Sequence, residues 1–243
     1  MRILVIGESC KDVFHYGICR RLCPEAPVPV FNSVGFVENG GMAMNVYNNI
    51  KALGANVEIC TNKNWSNIIK TRFVEKRSNH MFMRLDENDD QYSKCNIDQV
   101  DFSLFDAVVV SDYNKGFLDE QLMYNISLMH PLTFLDTKRL FGKWCDRFSF
   151  IKINNVEHDN NKSFITDNIK SKLIVTKGPM GCLYRGKLYP VPVVEIKDTS
   201  GAGDTFISGL CVKYCLTGNI EESIKFANEC STKAVQKLGV AVI

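Results

Sequence analysis

Short apolar runs of four to six residues recur along the chain and alternate with longer amphipathic patterns. The runs, each predicted to be a buried strand, cover 2–7, 57–60, 107–110, 132–136, 148–153 and 173–176. The amphipathic patterns, each predicted to be a helix, cover 44–53, 118–129, 203–216 and 220–238, and a hairpin is predicted around Gly186. Apolar strands that alternate with helices are typical of a mostly parallel sheet covered on both faces.

Two polar, strand-rich stretches do not fit this alternation. They cover approximately 12–37 and 71–100, and we expect them to form a small β-sheet lid beside the main sheet. The chain has no internal repeat, low-complexity tract or linker. Residues 1–243 are therefore predicted to form a single α/β domain of three layers, α/β/α, with a lid.

Composition narrows the class of protein. The 243 residues are 45% hydrophobic and 23% charged, with a formal net charge of +2. We therefore expect a globular protein with no nucleic-acid partner, and no apolar run is long enough to span a membrane. The ten cysteines suggest disulfides, but the chain is longer than small disulfide-stapled scaffolds and 1–7 is a poor signal peptide. We expect reduced thiols and a cytoplasmic location.

The clearest chemical signal is the segment 198–205, Asp-Thr-Ser-Gly-Ala-Gly-Asp-Thr, which directly precedes an apolar helix. Glycines here allow the backbone N–H groups of Gly201, Ala202 and Gly203 to converge at a helix N-terminus, where they form an anion hole. Asp204, in the first helical turn, is placed to act as a general base. The alternative is an ordinary glycine turn with Asp204 as a helix cap.

Segment 198–205 resembles the D-T-x-G-A-G-D signature of the ribokinase-like (PfkB) carbohydrate kinases. The resemblance implies a ribokinase-like fold, ATP as phosphate donor, Asp204 as catalytic base and the 201–203 amides as anion hole. It also implies that Asp198 and Thr199 lie beside the nucleotide.

Further matches follow in the order that this family shows. On the sugar side, Gly40, Gly41 and Asn45 resemble G-G-x-x-x-N, and Asp12 resembles the aspartate that holds sugar hydroxyls. On the nucleotide side, the matching residues are Asn154 and Glu157 (N-x-x-E), Thr176, Gly178 and Gly181 (T-x-G-x-x-G), Lys138 and Asn228. The resemblance implies that Glu157 organises Mg²⁺ through water. Taken alone, each of these short patterns is also compatible with an ordinary turn or loop.

A longer stretch narrows the substrate. Residues 21–30, Arg-Leu-Cys-Pro-Glu-Ala-Pro-Val-Pro-Val, are similar to a stretch of the heptose-7-phosphate kinases. The resemblance implies phosphorylation of the anomeric hydroxyl of D-glycero-D-manno-heptose 7-phosphate. Candidate partners for the 7-phosphate are Lys11, Arg20, Arg21, Arg84 and Lys115. Exposed lid strands tend to pair with a partner, so we expect a homodimer through the lids.

Two other functions remain open. The chain is shorter than the heptose-7-phosphate kinases between Asn62 and Thr71 and over 157–171, which puts the adenine pocket in doubt. One alternative is a kinase of another sugar or sugar phosphate, of the fructokinase or ribokinase type. The other is a trimmed relative that binds a sugar or nucleotide without catalysis, although such a protein has no need of a base at the transfer point.

Overall fold

The computed structural model describes residues 1–243 as two β-sheets and six α-helices. The strands are β1 (Arg2–Gly7), β2 (Lys11–Leu22), β3 (Pro29–Asn39), β4 (Asn56–Cys60), β5 (Ile69–Glu75), β6 (Met81–Glu87), β7 (Ala107–Asp112), β8 (Thr133–Thr137), β9 (Phe150–Asn154), β10 (Leu173–Thr176), β11 (Cys182–Tyr184) and β12 (Lys187–Tyr189). The helices are α1 (Gly41–Ala52), α2 (Glu120–Met129), α3 (Asn155–Asn161), α4 (Asp167–Lys170), α5 (Ala202–Thr217) and α6 (Ile220–Ala234).

The main sheet has eight strands in the order β12-β11-β10-β9-β8-β7-β1-β4. The six strands from β10 to β4 are parallel, and β11 and β12 form an antiparallel hairpin at one edge. Their apolar runs are buried on both faces, since α1, α5 and α6 contribute to the core on one face and α2 and α4 to the core on the other. The three-layer α/β/α fold with a mostly parallel sheet is confirmed.

The lid is a separate four-stranded sheet in the order β3-β2-β5-β6. Strands β2 and β5 pair in parallel at its centre, and β3 and β6 pair antiparallel at its edges. Several large apolar side chains of the edge strands are exposed: Val34, Phe36, Val37, Met81, Phe82, Met83 and Leu85. Such an apolar surface is compatible with a homodimer through the lids, which stays a prediction.

The structure corrects three boundaries. The second lid segment begins at Ile69 and ends at Glu87, and residues 88–100 return to the main body, where Tyr92 and Ile97 join the core. The last predicted helix ends at Ala234 rather than 238. The short helices α3 and α4 were not predicted, because four to seven residues give too few turns for a clear apolar period.

None of the helices combines the length and the apolar character that a membrane crossing requires.

Candidate active site

The site begins where β1 and β7 end side by side in the main sheet. A Cβ atom at Gly7 would lie 2.1 Å from the Ser111 carbonyl oxygen, so only glycine allows the two strands to approach this closely. Beyond the strands, the buried Glu8 carboxylate accepts hydrogen bonds from the backbone N–H groups of Tyr113 and Lys115, at 3.0 and 3.1 Å. Burial raises the pKa of Glu8 to about 7. Glu8 therefore holds the loop after β7 in place.

Asp204 lies in the first turn of α5 and is buried. The preceding Gly201 has φ of 76°, and a Cβ atom there would lie 2.6 Å from Asn45 Nδ2, so the turn requires glycine. Asn45 Nδ2 donates a hydrogen bond to Asp204 Oδ2, and the Tyr113 hydroxyl donates to Asp204 Oδ1, both at 2.8 Å. Three segments far apart in sequence thus fix the orientation of one carboxylate.

The ionisation of Asp204 follows from this setting. Burial raises the pKa of Asp204 from 3.8 to about 6, while the hydrogen bonds from Asn45 and Tyr113 partly oppose the shift. Burial and the nearby Asp204 raise the pKa of Tyr113 well above its usual value, so the hydroxyl keeps its proton and remains a donor. Asp204 is therefore a carboxylate at neutral pH, with a pKa suited to accepting a proton.

Three cavities lie in a row around Asp204. The central cavity, of about 380 Å³, lies between Asp204 and Glu157. The lid cavity, of about 400 Å³, lies between Asp204 and the lid, and Gly201 and Asp204 line both of these. The apolar cavity, of about 310 Å³, shares Gly203 with the central cavity and continues away from the lid. Asp204 therefore stands at the junction between the lid cavity and the central cavity.

The central cavity carries two ammonium groups. Lys152 Nζ lies 2.8 Å from Asp136 Oδ2 in a buried ion pair, and Lys138 Nζ lies 3.0 Å from Glu157 Oε1. A Cβ atom at Gly203 would lie 2.7 Å from Lys152 Nζ, so this ammonium reaches the glycine turn where the anion hole was predicted. Lys138 was predicted from sequence, whereas Lys152 was not, because it lies inside the predicted strand 148–153 and belongs to none of the motifs.

The N-x-x-E motif forms the start of α3. The Asn154 side chain accepts a hydrogen bond from the Glu157 N–H at 2.9 Å, and Glu157 Oε2 accepts one from the Asn154 N–H at 2.7 Å. This reciprocal cap fixes the Glu157 carboxylate on the wall of the central cavity. The motif is therefore built into the fold rather than lying in a free loop.

Three oxygen-bearing side chains in the central cavity suit a hard cation. No three His, Cys, Asp or Glu side chains converge as they do around a metal held by protein alone. Mg²⁺, however, usually keeps several waters and binds through one or two carboxylates and substrate phosphates. Asp136, Asn154 and Glu157 line the same cavity and fit that mode of binding.

The apolar cavity contains most of the remaining residues predicted on the nucleotide side. Its lining includes Thr176, Gly178, Gly181, Thr199, Ala202 and Asn228 together with Val191, Pro192, Val193, Val194 and Ile196. The Asn228 side chain has a structural contact, because its Nδ2 donates a hydrogen bond to the Tyr189 carbonyl oxygen at 2.9 Å. Despite the shortened segments, the chain still encloses an apolar cavity beside the central cavity.

Asp198 does not lie where it was expected. Its carboxylate lines none of the three cavities and instead accepts hydrogen bonds from the backbone N–H groups of Ser200 and Gly239, at 2.8 and 3.0 Å. Asp198 therefore shapes the loop before α5 and does not contact the space for a nucleotide.

The lid cavity brings together most of the residues predicted on the sugar side. Asp12, Gly41, Asn45, Arg84 and Lys115 line it, while Gly40 lies just behind and accepts a hydrogen bond from the Cys10 N–H. Two basic residues that were not predicted, Lys70 and Arg72, also line it, and Arg72 Nε lies 2.9 Å from Asp12 Oδ1.

The other predicted phosphate partners lie outside the lid cavity. Arg20 and Arg21 are exposed at the far end of β2, and Lys11 pairs with Glu38 at 2.8 Å. Within this chain, Arg21 therefore makes no contact with the sugar site. These three residues were predicted because arginine and lysine side chains bind phosphate, which does not show where the fold places them.

The architecture matches solved structures of ribokinases. The ribokinase of Thermotoga maritima superposes with a TM-score of 0.71 and 15% identity, over 98% of this chain and 94% of that chain. The ribokinase of Arabidopsis thaliana, solved with ribose and ATP, superposes with a TM-score of 0.68 and 13% identity, over 98% and 93%. At this identity the match shows the fold alone, which is ribokinase-like.

Similarity in sequence is more specific. The bifunctional protein HldE of Helicobacter pylori is 28% identical over 296 aligned positions, which cover 99% of this chain and 64% of the relative. Residues 151–242, which contain the glycine turn and Asp204, match the pfkB family carbohydrate kinase model. The family-model match and the HldE alignment agree in pointing to a carbohydrate kinase of the pfkB type. The resemblance inferred from segment 198–205 is thereby confirmed.

The chain is short beside the relative that it matches. The alignment with HldE runs over 296 positions, more than the 243 residues of the kinase, so the kinase carries deletions relative to that protein. It spans less than two thirds of the length of HldE. The chain nevertheless forms the central cavity, and Asp204 lines it.

The pKa of Asp204 leads to a pH dependence for the kinase. A base works only as the carboxylate, so kcat/KM is expected to fall about tenfold per pH unit below roughly pH 6 and to level off above it. A pH–rate profile from pH 4.5 to 8 with saturating ATP measures this. Glu8 titrates near pH 7, so the Glu8→Gln variant serves as control, and its midpoint is expected to stay near 6. A midpoint that disappears in Glu8→Gln would assign the titration to Glu8 instead.

Proposed function

We propose that the kinase transfers the γ-phosphoryl group of ATP to the anomeric hydroxyl of D-glycero-D-manno-heptose 7-phosphate. The single observation that carries the proposal is the position of Asp204. Its carboxylate stands between a lid cavity lined by cations and a central cavity beside the glycine turn. An acceptor hydroxyl in the lid cavity and a phosphate in the central cavity would meet at this carboxylate.

The transfer step needs little more than positioning and charge. The hydroxyl oxygen attacks the γ-phosphorus in line, and Asp204 takes its proton while the bond to the leaving oxygen of ADP breaks. The N–H groups of residues 201–203 and the ammonium of Lys152 stabilise the charge on the transferring group. Mg²⁺, when bound, neutralises charge on the ATP phosphates, and Asp136, Asn154 and Glu157 are the residues that would hold it through water.

The apolar cavity supports ATP as the phosphate donor. It shares the lining residues Thr176, Gly178 and Gly203 with the central cavity, so a nucleotide with its base in the apolar cavity would have its phosphates near Asp204. Adenine is a flat aromatic ring, and the three valines and one proline of residues 191–194 offer an apolar surface against its faces. The Arabidopsis ribokinase, which has the same fold, was solved with ribose and ATP.

The charges of the lid cavity support a sugar that already carries a phosphate. Lys70, Arg72, Arg84 and Lys115 line this cavity, and among its lining residues only Asp12 and Asp204 are acidic. A neutral sugar has no group that needs several cations, whereas a terminal phosphate accepts charge-assisted hydrogen bonds from both lysines and arginines. The similarity of residues 21–30 to the heptose-7-phosphate kinases, and of the chain to HldE, favours heptose 7-phosphate.

A substrate panel tests the proposal. ADP formation is measured with D-glycero-D-manno-heptose 7-phosphate, the unphosphorylated heptose, fructose, fructose 6-phosphate and ribose. Heptose 7-phosphate is expected to give the highest kcat/KM. A higher value with fructose or ribose would identify a different sugar kinase, and binding of ATP and sugar without turnover would identify a binding-only relative.

Arg84→Gln tests the charge argument directly. The loss of one charge-assisted hydrogen bond is expected to raise KM for heptose 7-phosphate about tenfold or more, with kcat nearly unchanged. Arg20→Gln is the matched control, since Arg20 is exposed and lines none of the three cavities. Equal effects of the two variants would show that Arg84 contributes only general surface charge.

A further inference from the structure

Asp89 links the lid of the kinase to the main body. Its Oδ1 accepts a hydrogen bond from Lys70 Nζ, and its Oδ2 accepts one from Lys115 Nζ. Lys70 belongs to β5 of the lid, whereas Lys115 belongs to the loop after β7 of the main sheet. One carboxylate therefore joins an ammonium group on a lid strand to one on a loop of the main body, whereas Asp86, 3.3 Å from Lys70 Nζ, contacts only the first of them.

The main body holds Asp89 in place. The hydroxyl of Tyr92 donates to Asp89 Oδ1 at 3.0 Å, and Tyr92 is buried in the larger core cluster. Burial opposes ionisation of Asp89, but hydrogen bonds from Lys115 and Lys70 outweigh it and lower the pKa of Asp89. Asp89 is therefore a fixed anion at neutral pH.

Both lysines face the lid cavity, and Asp89 lies behind them. Lys70 and Lys115 line the cavity with Arg72 and Arg84, whereas Asp89 is not part of the lining. The Lys70 side chain is only 9% exposed, so it has little freedom to seek a partner on the surface. A carboxylate in this position orders the two ammonium groups without occupying the space for a ligand.

We propose that Asp89 is a positioning residue for the anionic end of the substrate. It holds the lid ammonium of Lys70 and the main-body ammonium of Lys115 together, so that one phosphate can contact both. Because long lysine side chains lose much rotational freedom when they bind, ordering them in advance lowers the cost of recognition. Asp89 thus makes binding of the phosphate depend on the position of the lid. This role rests on the proposed function, in which the substrate carries a phosphate.

The test compares Asp89→Asn with the wild type, using heptose 7-phosphate and the unphosphorylated heptose. For Asp89→Asn we expect KM for heptose 7-phosphate to rise about tenfold, with kcat within about twofold, while KM for the unphosphorylated heptose is unchanged. Asp89→Glu keeps the charge and is expected to recover much of the loss. Asp90→Asn, at an exposed neighbour, is the control.

A double-mutant cycle with Lys70→Met shows whether the rise in KM caused by Asp89→Asn depends on Lys70. If Asp89 acts through Lys70, then Asp89→Asn adds little to the KM of Lys70→Met. Full additivity of the two substitutions would overturn the proposal, as would a lower KM in Asp89→Asn, which would make Asp89 a competitor of the phosphate. Equal losses with both sugars, or a loss of kcat, would reduce Asp89 to a structural role.

The same measurements separate this inference from the proposed function. If the wild type does not distinguish heptose 7-phosphate from the unphosphorylated heptose, both the proposed substrate class and the role of Asp89 are wrong. If the wild type distinguishes them and Asp89→Asn does so equally well, only the role of Asp89 is wrong.

Discussion

Asp204→Asn is expected to lower kcat by about 10²- to 10⁴-fold, because the acceptor hydroxyl loses the group that takes its proton. KM for the sugar is expected to change little. An asparagine side chain is nearly the same size and can still hydrogen-bond to Tyr113, which can also act as acceptor. The measurement is steady-state ADP formation with ATP and heptose 7-phosphate, together with a thermal unfolding curve of each protein.

The control for Asp204→Asn must separate the loss of a base from the loss of a negative charge at a helix start. Asp167→Asn meets this need, since Asp167 lies in the first turn of α4 and is exposed outside the three cavities. It is expected to leave kcat unchanged. If Asp204→Asn kept kcat within about threefold of the wild type with its fold intact, Asp204 would not be the base.

Lys152→Met is expected to produce the second large effect, on both activity and stability. The variant removes a cation beside Gly203, and the loss of one group that stabilises transition-state charge typically costs about 10²- to 10³-fold in kcat. It also leaves Asp136 buried without its partner. Breaking one side of a buried ion pair costs about 3–5 kcal/mol. Enzyme kinetics and urea unfolding measure the two effects.

The double variant Lys152→Met with Asp136→Asn separates these effects. Neutralising both partners removes the uncompensated charge, so much of the unfolding free energy is expected to return. The loss of kcat is expected to persist, because the ammonium is still missing and the double variant also lacks the Asp136 carboxylate that would help to hold Mg²⁺. Recovery of both stability and kcat in the double variant would assign Lys152 a purely structural role.

Most of the main sheet could be predicted from sequence because its strands are apolar throughout and short. The run 107–110 is an example, since each of its residues is buried in β7 with helices on both faces. The glycine turn 201–203 could also be predicted from the sequence. Only glycine fits the positive φ at Gly201 and the close packing against Asn45, so the residue type itself marks the turn. Constraints of this local kind determine which residue type occupies a position, so they can be inferred from the sequence.

The basic lining of the lid cavity could not be predicted in the same way. Lys70 and Arg72 lie on a polar lid strand, where alternating charged residues normally indicate a solvated face. Their role depends on contacts across the fold, such as the pairing of Arg72 with Asp12, 60 residues earlier. For the same reason, residues 88–100 were assigned to the lid, although Tyr92 packs in the main core. The spacing of residues along a strand does not indicate which face of the sheet contacts a loop from a distant part of the chain.

The most direct test of the account follows the phosphate itself by ³¹P NMR, with the kinase, ATP, Mg²⁺ and heptose 7-phosphate in one tube. The expected result is loss of the ATP γ-phosphate signal and growth of a new phosphate signal coupled to the anomeric proton, with the 7-phosphate retained. The Asp204→Asn variant should leave the spectrum unchanged over the same time. Consumption of ATP without a new sugar phosphate, or equal turnover by Asp204→Asn, would contradict the account.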